Sequence, residues 1–315
     1  MNNLLIYSSE ESEYFSKLVA KGLGIEPSKI IRDKFSDGEL YYRIDIDDRA
    51  ALFNKTAIIV ASTHNDQIFD ELEKIGTTLA GLGTKKRIFV IPFFGYSTME
   101  RAVKPGEVVS TKINAQRLSA IPNSSGGNIF LLLDLHVSGI VHYFEGDCLR
   151  YELYAEKILY EAIKELELDN FIVGTADLGR TKWVEAFASK FETEIVFIRK
   201  SRHFKETEVL DVIGDVAGKN VVIYDDMTRS GGTLIEATNA YLNKGANKVY
   251  AALSHLAFSN AELIKKMEDS PIEKIISTNS HPMSEHPLIK SSNKFIIKDV
   301  SGEFVEIIKK FVEKE

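Results

Sequence analysis

Between Val221 and Leu234 the chain reads Val-Val-Ile-Tyr-Asp-Asp-Met-Thr-Arg-Ser-Gly-Gly-Thr-Leu, an apolar run that ends in two carboxylates and turns through small residues into a helical pattern. Such a segment can hold a phosphate. Backbone N–H groups of the Ser230-Gly231-Gly232-Thr233 turn and of the helix start can surround phosphate oxygens. The glycines let the backbone come close, and Ser230 and Thr233 add hydroxyl donors. Asp225 and Asp226 can accept hydrogen bonds from ribose hydroxyls and can organise a hydrated cation. Gly-Gly-Thr alone would be an ordinary strand-to-helix turn; joined to the strand and the Asp pair, it points to a sugar phosphate.

Other side chains sit where a site would want them. His136 follows the apolar run Ile129–Asp134, at the point where a side chain leaves the carboxyl edge of a sheet. Asp177 lies in Gly174-Thr175-Ala176-Asp177-Leu178-Gly179 and is also a candidate N-cap for the helical stretch Lys182–Phe191. Lys200 and Arg202, in Ile198-Arg199-Lys200-Ser201-Arg202-His203, are expected on a mobile loop between strands. A solvated basic loop is the ordinary fate of such a charge run.

The elements that position these residues alternate along the chain. Short apolar runs at Leu4–Tyr7, Thr56–Ala61, Arg87–Pro92, Ile129–Asp134, Asn170–Gly174, Glu194–Ile198, Asn220–Asp225, Lys248–Ser254 and Lys274–Thr278 read as strands, several apolar on both faces as in a buried parallel sheet. Amphipathic stretches at Phe69–Leu82, Ser110–Ser119, Tyr151–Leu166, Lys182–Phe191, Leu234–Lys244 and Asn260–Met267 read as the helices between them, so the pattern is one of βαβ units. Ile30–Ile46 reads as an antiparallel hairpin or edge arm. The expected fold is α/β, with two doubly wound parallel-sheet domains. The similar strand–helix cadence of the two halves suggests internal duplication. A hinge at Phe144-Glu145-Gly146-Asp147 divides residues 1–146 from 147–300, and a terminal helix over 301–315 packs back on the first domain.

Composition narrows the class. A chain of 315 residues suits two domains, and 44 % hydrophobic with 27 % charged residues is the balance of a globular protein. A net charge of −7 argues against broad nucleic-acid binding. No apolar run is long enough for a membrane span, and the start has no signal-peptide pattern. The single cysteine, Cys148, fits a reducing compartment, so a cytoplasmic location is expected.

The Asp225–Thr233 segment resembles the ribose-phosphate loop shared by phosphoribosyltransferases and phosphoribosyl diphosphate synthases. The rest of the chain separates the two groups. Phe35-Ser36-Asp37-Gly38-Glu39, Pro92-Phe93-Phe94-Gly95-Tyr96 with Glu100-Arg101, and Asp134-Leu135-His136 look like landmarks of the ribose-phosphate pyrophosphokinase family, as do Asn65-Asp66, Gly214-Asp215-Val216 and Gly218-Lys219. The likeness runs from about Leu4 to Thr278; simple phosphoribosyltransferases lack the first half.

The resemblance implies an Mg²⁺-dependent diphosphokinase that makes 5-phospho-α-D-ribose 1-diphosphate and AMP from ATP and ribose 5-phosphate. It implies that Phe35, Asp37, Glu39, Glu100 and Arg101 bind ATP. Asp225, Asp226, Ser230, Gly231, Gly232 and Thr233 would bind the ribose phosphate. His136 and Asp177 would serve the metal, and Lys200, Arg202 and His136 catalysis. The arm around Phe35–Glu39 completes a partner's site in this family, so a homo-oligomer is expected. No general base stands out.

Four departures bear on the detail. Thr98-Met99-Glu100-Arg101 stands where an Arg-Gln-Asp run is common, and looks like the phosphate-independent class II synthases. Arg229 replaces an aspartate of the sugar loop. Arg180 replaces the second glycine of the pyrophosphate loop, where a guanidinium could pair with phosphate oxygens or crowd the backbone. Trp183 stands at a position that is commonly small or basic, and helix packing is its expected role. Two alternatives follow: the same chemistry on a larger ribose-phosphate acceptor such as ADP-ribose, and a synthase-like regulatory subunit without turnover. A nucleobase phosphoribosyltransferase would leave the first half without a purpose.

Overall fold

The computed structural model describes residues 3–177, 179–203 and 206–312, with the side chains of 200–210 outside that description. The chain forms two compact units, Met1–Tyr154 with Val300–Glu315, and Ala155–Asp299.

The first unit runs β1 (Leu4–Ser8), α1 (Glu13–Leu23), β2 (Ile30–Lys34), β3 (Leu40–Ile44), β4 (Thr56–Val60), α2 (Asp66–Gly81), β5 (Lys86–Ile91), α3 (Ser110–Ser119), β6 (Asn128–Leu133) and β7 (Leu149–Leu153). The second runs α4 (Glu156–Lys164), β8 (Phe171–Gly174), α5 (Thr181–Ser189), β9 (Ile195–His203), β10 (Glu206–Ile213), β11 (Asn220–Thr228), α6 (Gly232–Asn243), β12 (Val249–Leu256), α7 (Ala261–Glu268), β13 (Ile275–Thr278), α8 (Pro287–Lys290) and β14 (Phe295–Lys298). The terminal helix, α9 (Ser301–Val312), belongs to the first unit.

In the first unit, β1, β4, β5, β6 and β7 lie side by side in that order, all parallel. The central strands are apolar on both faces because both are covered. Tyr7, Ile59, Phe89 and Phe130 share one core with Phe69 and Leu72 of α2 and Leu118 of α3. On the opposite face, the Phe15 ring of α1 meets Phe304 of α9 edge-on at 5.6 Å. Lys86, one step out of phase with Phe89, donates to the Phe311 carbonyl at 2.9 Å.

The boundary between the units falls eight residues later than Gly146. Leu149-Arg150-Tyr151-Glu152-Leu153 alternates with a period of two and pairs with β6, so it is the last strand of the first sheet. The helix expected over Tyr151–Leu166 is therefore a strand followed by the shorter α4.

The β2–β3 pair is antiparallel, with Lys34 opposite Leu40 across the turn. Arg32 ties this hairpin to the unit. Its Nη2 lies 2.7 Å from Glu71 Oε1 on α2 and donates to the Ser8 carbonyl at 2.5 Å. Glu71 is 2 % exposed, and burial raises its carboxyl pKa despite the opposing Arg32 charge. Truncation would strand a guanidinium that is only partly solvated. Glu71→Ala is expected to cost about 2 kcal/mol, read from the urea midpoint. An unchanged midpoint would mean that the hairpin is held by other contacts.

In the second unit the order is β10-β9-β8-β11-β12-β13-β14, with only β10 antiparallel to its neighbour. Tyr241 of α6 and Met267 of α7 share one core with Val221, Ile223 and Leu253. On the other face, Phe187 of α5 stacks on Tyr224. From β8 the chain moves out to β9 and β10, then returns to lay β11 on the far side of β8. Strand order therefore reverses between β8 and β11, and the crevice at the carboxyl ends beside such a reversal is where open α/β sheets bind ligands.

One expectation fails here. The backbone of Lys200 and Arg202 is strand rather than loop, with Lys200 opposite Leu210 on β10. The largely apolar, β-branched run Val209-Leu210-Asp211-Val212-Ile213 supplies a strand partner that the basic residues had masked.

Candidate active site

β8 and β11 pair directly, Val222 opposite Val173 and Ile223 opposite Gly174, so their carboxyl ends leave the sheet together. β8 leads into Thr175, Ala176 and Asp177, while β11 ends on Asp225, Asp226, Met227 and Thr228. Tyr241 of α6 pins the first of these exits: its hydroxyl donates to the Thr175 carbonyl at 2.8 Å and accepts from the Thr175 N–H at 3.1 Å. Thr175 Oγ1 in turn accepts from the Ile198 N–H at 3.3 Å.

The three carboxylates at this edge feel one another. Asp226 is 2 % exposed. Burial pushes the Asp225 carboxyl well above the usual carboxylate range, the Asp226 charge pushes the same way, and Asp177 adds to it. Their opposing cation is Arg180, whose Nη1 lies 3.4 Å from Asp226 Oδ1. A carboxyl whose folded pKa exceeds its unfolded one costs stability as pH climbs through that interval. Asp225→Asn is therefore expected to raise the Tm of the ligand-free protein at neutral pH, with the gain shrinking to nothing below about pH 4. A gain independent of pH would assign it to packing instead.

The turn after β11 has the form its small residues require. Gly231 sits at φ 73°, in the left-handed region, and a Cβ there would stand 2.1 Å from Met267 Sδ. Its N–H donates to Thr228 Oγ1 at 3.2 Å, the Gly232 N–H to Ser230 Oγ at 3.4 Å, and Lys266 Nζ donates to the Ser230 carbonyl at 3.1 Å. No side chain caps the start of α6, and Ser230 and Thr233 are exposed beside it. Backbone donors and hydroxyls thus converge at the end of β11.

In the first unit, the β2–β3 turn is closed by Phe35 N–H to the Glu39 carbonyl and Gly38 N–H to the Phe35 carbonyl, both 2.9 Å. Asp37 Oδ1 accepts from the Glu39 N–H at 3.1 Å. The Phe35 ring, edge-on to Tyr41, is 55 % exposed and presents a flat apolar face beside two carboxylates. Beyond β5, Glu100 pairs with the exposed Arg101 at 3.3 Å, and its carbonyl accepts from the Tyr143 hydroxyl at 2.6 Å.

His136, half-buried, follows β6 by way of Asp134 at φ 38°, a left-handed backbone that aspartate tolerates better than most residues. Beside that turn, burial raises the Tyr154 hydroxyl to about 12, with Glu152 and Asp134 adding to it.

The second unit thus brings Asp177, Asp225 and Asp226 into one electrostatic neighbourhood and sets Ser230–Thr233 at the end of the same strand. His136 belongs to the first unit and Asp177 to the second. The side chains of Lys200 and Arg202 lie outside the described residues.

Three residues do more than the sequence reading gave them. Tyr241 lay unremarked inside the helical stretch Leu234–Lys244. Arg180, read as a guanidinium that pairs with phosphate or crowds its loop, and Trp183, read as helix packing, form one stack with Tyr224 and Phe187. The Arg180 Cζ sits 4.0 Å from the Trp183 ring centre, Trp183 lies 3.9 Å from Tyr224, and Tyr224 lies 3.6 Å from Phe187.

Comparison with known proteins agrees with this architecture. A family model described as the N-terminal domain of ribose phosphate pyrophosphokinase matches residues 4–121, and one described as the phosphoribosyl synthetase-associated domain matches residues 185–315. The ribose-phosphate pyrophosphokinase of Helicobacter hepaticus is 31 % identical over 320 residues, covering 100 % of this chain and 98 % of that relative. That of Aquifex aeolicus is 31 % identical over 290 residues, covering 90 % and 89 %. The crystal structure of phosphoribosylpyrophosphate synthetase from Mycobacterium smegmatis superposes with a TM-score of 0.87, covering 99 % of this chain and 100 % of that one at 23 % identity, and so shares the fold. With full-length relatives above 30 % identity and family models matched in both halves, the chain belongs to the ribose-phosphate pyrophosphokinase family.

Proposed function

We propose that this chain transfers the β,γ-diphosphoryl group of ATP to the C1 hydroxyl of ribose 5-phosphate, giving 5-phospho-α-D-ribose 1-diphosphate and AMP for nucleotide biosynthesis. The observation that carries the reading is the strand reversal between β8 and β11, which gathers three carboxylates and the Ser230–Thr233 donors at one sheet edge.

The roles follow from the chemistry of each group. Backbone N–H groups and hydroxyls of Ser230, Gly231, Gly232 and Thr233 bind the 5-phosphate. Asp225 and Asp226 accept from the ribose hydroxyls and orient the sugar. The Phe35 ring stacks on adenine, with Asp37 and Glu39 as acceptors for its exocyclic amine, and Glu100, Arg101 and His136 bind the rest of the nucleotide. The C1 oxygen bonds to the β-phosphorus and the bond from that phosphorus to the α,β-bridging oxygen breaks. AMP departs with the bridging oxygen and the C1 proton passes to solvent. Lys200 and Arg202 offset the charge that develops on the phosphate oxygens, so the protein contributes positioning and electrostatics.

Magnesium fits the donors present. Asp177, Asp225 and Asp226 are hard oxygen ligands, and burial together with the neighbouring Asp226 and Asp177 carboxylates raises the Asp225 carboxyl, a cost that a cation would offset. Mg²⁺ takes few protein ligands and keeps several waters, so a small set of carboxylates suffices to hold it beside phosphates. Mg²⁺ would supply charge neutralisation on the phosphates, with Asp177 serving it at the sugar-phosphate edge and His136 serving the Mg²⁺ of the nucleotide.

Among the described residues no helix is long and apolar enough to cross a membrane. A cytoplasmic enzyme acting as a homo-oligomer through the Phe35–Glu39 arm fits this reading. Incubation with ATP, Mg²⁺ and either ribose 5-phosphate or ADP-ribose tests the assignment. The expected result is AMP and sugar diphosphate in equal amounts from ribose 5-phosphate. Product from ADP-ribose alone would transfer the chemistry to a larger acceptor, and no product from either would leave a regulatory subunit.

A further inference from the structure

The strongest feature that the proposed roles leave unused is the column Arg180–Trp183–Tyr224–Phe187. Its base is in the core: Phe187 and Tyr224 are both buried, and their rings stack at 3.6 Å with 13° between planes. Trp183 stacks on the other face of Tyr224 at 3.9 Å and 16°. The Arg180 guanidinium then caps Trp183 at 4.0 Å from the ring centre. Tyr224 is the residue immediately before Asp225, so the column rises beside the carboxylate edge of β11.

This arrangement fixes a cation. Arginine suits it because the guanidinium is planar and weakly hydrated, and an aromatic face attracts it without taking up its N–H groups. The end of the side chain turns to Asp226, with Nη1 3.4 Å from Oδ1. Nη1 is nevertheless buried and makes no hydrogen bond among the described residues: it is close enough for charge pairing but not aligned to donate. A buried guanidinium donor without an acceptor is costly. One held on a rigid platform beside the carboxylate edge of β11 is available to an acceptor that arrives with a ligand.

We propose that Arg180, held on the Trp183 ring, is a ligand-binding residue that donates to the oxygens of the diphosphate group in the β8–β11 crevice. This inference rests on the reading of that crevice as the ribose-phosphate site. Asp226, the carboxylate that Arg180 faces, is one of the two that hold the ribose hydroxyls in that reading, so Arg180 stands beside the bound sugar. A fixed guanidinium there offsets part of the negative charge of Asp177, Asp225 and Asp226, so diphosphate binds without a metal ion supplying all of the positive charge. Trp183 is a positioning residue that acts through Arg180.

Trp183 is the only tryptophan of the chain, so intrinsic tryptophan emission reports on this stack alone. Inorganic diphosphate is titrated into the full-length protein in EDTA, following emission and, in parallel, heat of binding. The expected result is a saturable change for the wild type. Arg180→Ala weakens diphosphate binding by about ten-fold or more, the loss of a charge-assisted hydrogen bond. Arg180→Lys keeps the charge but loses the planar stack, and weakens binding several-fold. Trp183→Leu, followed by heat alone, weakens it with Arg180 intact. Circular dichroism matching the wild type confirms that each variant is folded.

Binding by Arg180→Ala within two-fold of the wild type, or no metal-free binding by the wild type, would overturn the proposal. The ATP and ribose 5-phosphate assay separates this from the reading beneath it. Product formation with unaltered diphosphate affinity in Arg180→Ala removes the role of Arg180 alone. Arg180-dependent diphosphate binding without product removes the activity and leaves the anion site.

Discussion

Asp226→Asn is expected to lower turnover by about two to three orders of magnitude while leaving the fold intact, because it removes a charge that two partners need. Asp226 is buried at the end of β11, its N–H donates to Asp225 Oδ1 at 2.9 Å, and Arg180 stands 3.4 Å from its carboxylate. Asparagine keeps the shape and one acceptor, so the strand end keeps its packing. On the proposed roles two things are lost: charge-assisted acceptance from a ribose hydroxyl, and the anion beside Arg180. Hydrogen bonds to a charged group are worth roughly 1.5–3 kcal/mol each, and two near the lower end of that range sum to about 3–4 kcal/mol of transition-state stabilisation. Steady-state kinetics with both substrates saturating reads this as a fall in kcat. Activity within ten-fold of the wild type would mean that Asp226 is a structural residue.

The second large effect is on stability. Gly95→Ala is expected to cost about 3 kcal/mol, at the upper end of overpacking losses. The chain leaving β5 passes the chain leaving β4 so closely that a Cβ on Gly95 would stand 1.9 Å from the Thr63 carbonyl oxygen and 3.3 Å from the Phe69 ring. The obstructing atom is backbone and cannot rotate away. Relief means separating two exits that Thr63 also joins, since its Oγ1 accepts from the Gly95 N–H at 3.1 Å. The second of these exits leads to Glu100 and Arg101, the proposed ATP contacts, so on that proposal nucleotide binding weakens with the fold. Scanning calorimetry should show a Tm fall on the order of 6–12 °C; a fall below about 2 °C would mean that the exits separate freely.

Strong local signals made much of this molecule readable. The β11–α6 segment was placed within a few residues because an apolar run, an Asp pair and a Gly-Gly turn all act over short distances. The same holds for the Ile30–Ile46 hairpin and for α3, whose ends match the expected Ser110–Ser119. The misses share a different cause. β7 is five residues long and runs almost directly into α4, so a helical window absorbed it. The β9 extension exists only because β10 folds back to pair with it, a partner that lies outside a window centred on Lys200.

The site shows the same division. Asp225, Asp226 and the Ser230–Thr233 turn stood out as a contiguous motif. The raised pKa of Asp225 comes chiefly from how deeply the sheet edge is buried, then from Asp226, with Asp177, forty-eight residues away by number, adding to it. Arg180 and Trp183 looked like two unrelated departures from a family pattern. They form one device only because α5 lays Trp183 and Phe187 on either face of Tyr224, which arrives on another strand.

The most direct test follows the transferred group itself. ATP labelled at the β-phosphorus, incubated with Mg²⁺ and ribose 5-phosphate, should deliver its label to the sugar diphosphate and leave unlabelled AMP. Label retained in ADP, with a monophosphorylated sugar as the other product, would contradict the account, because the chain would then move one phosphoryl group rather than two.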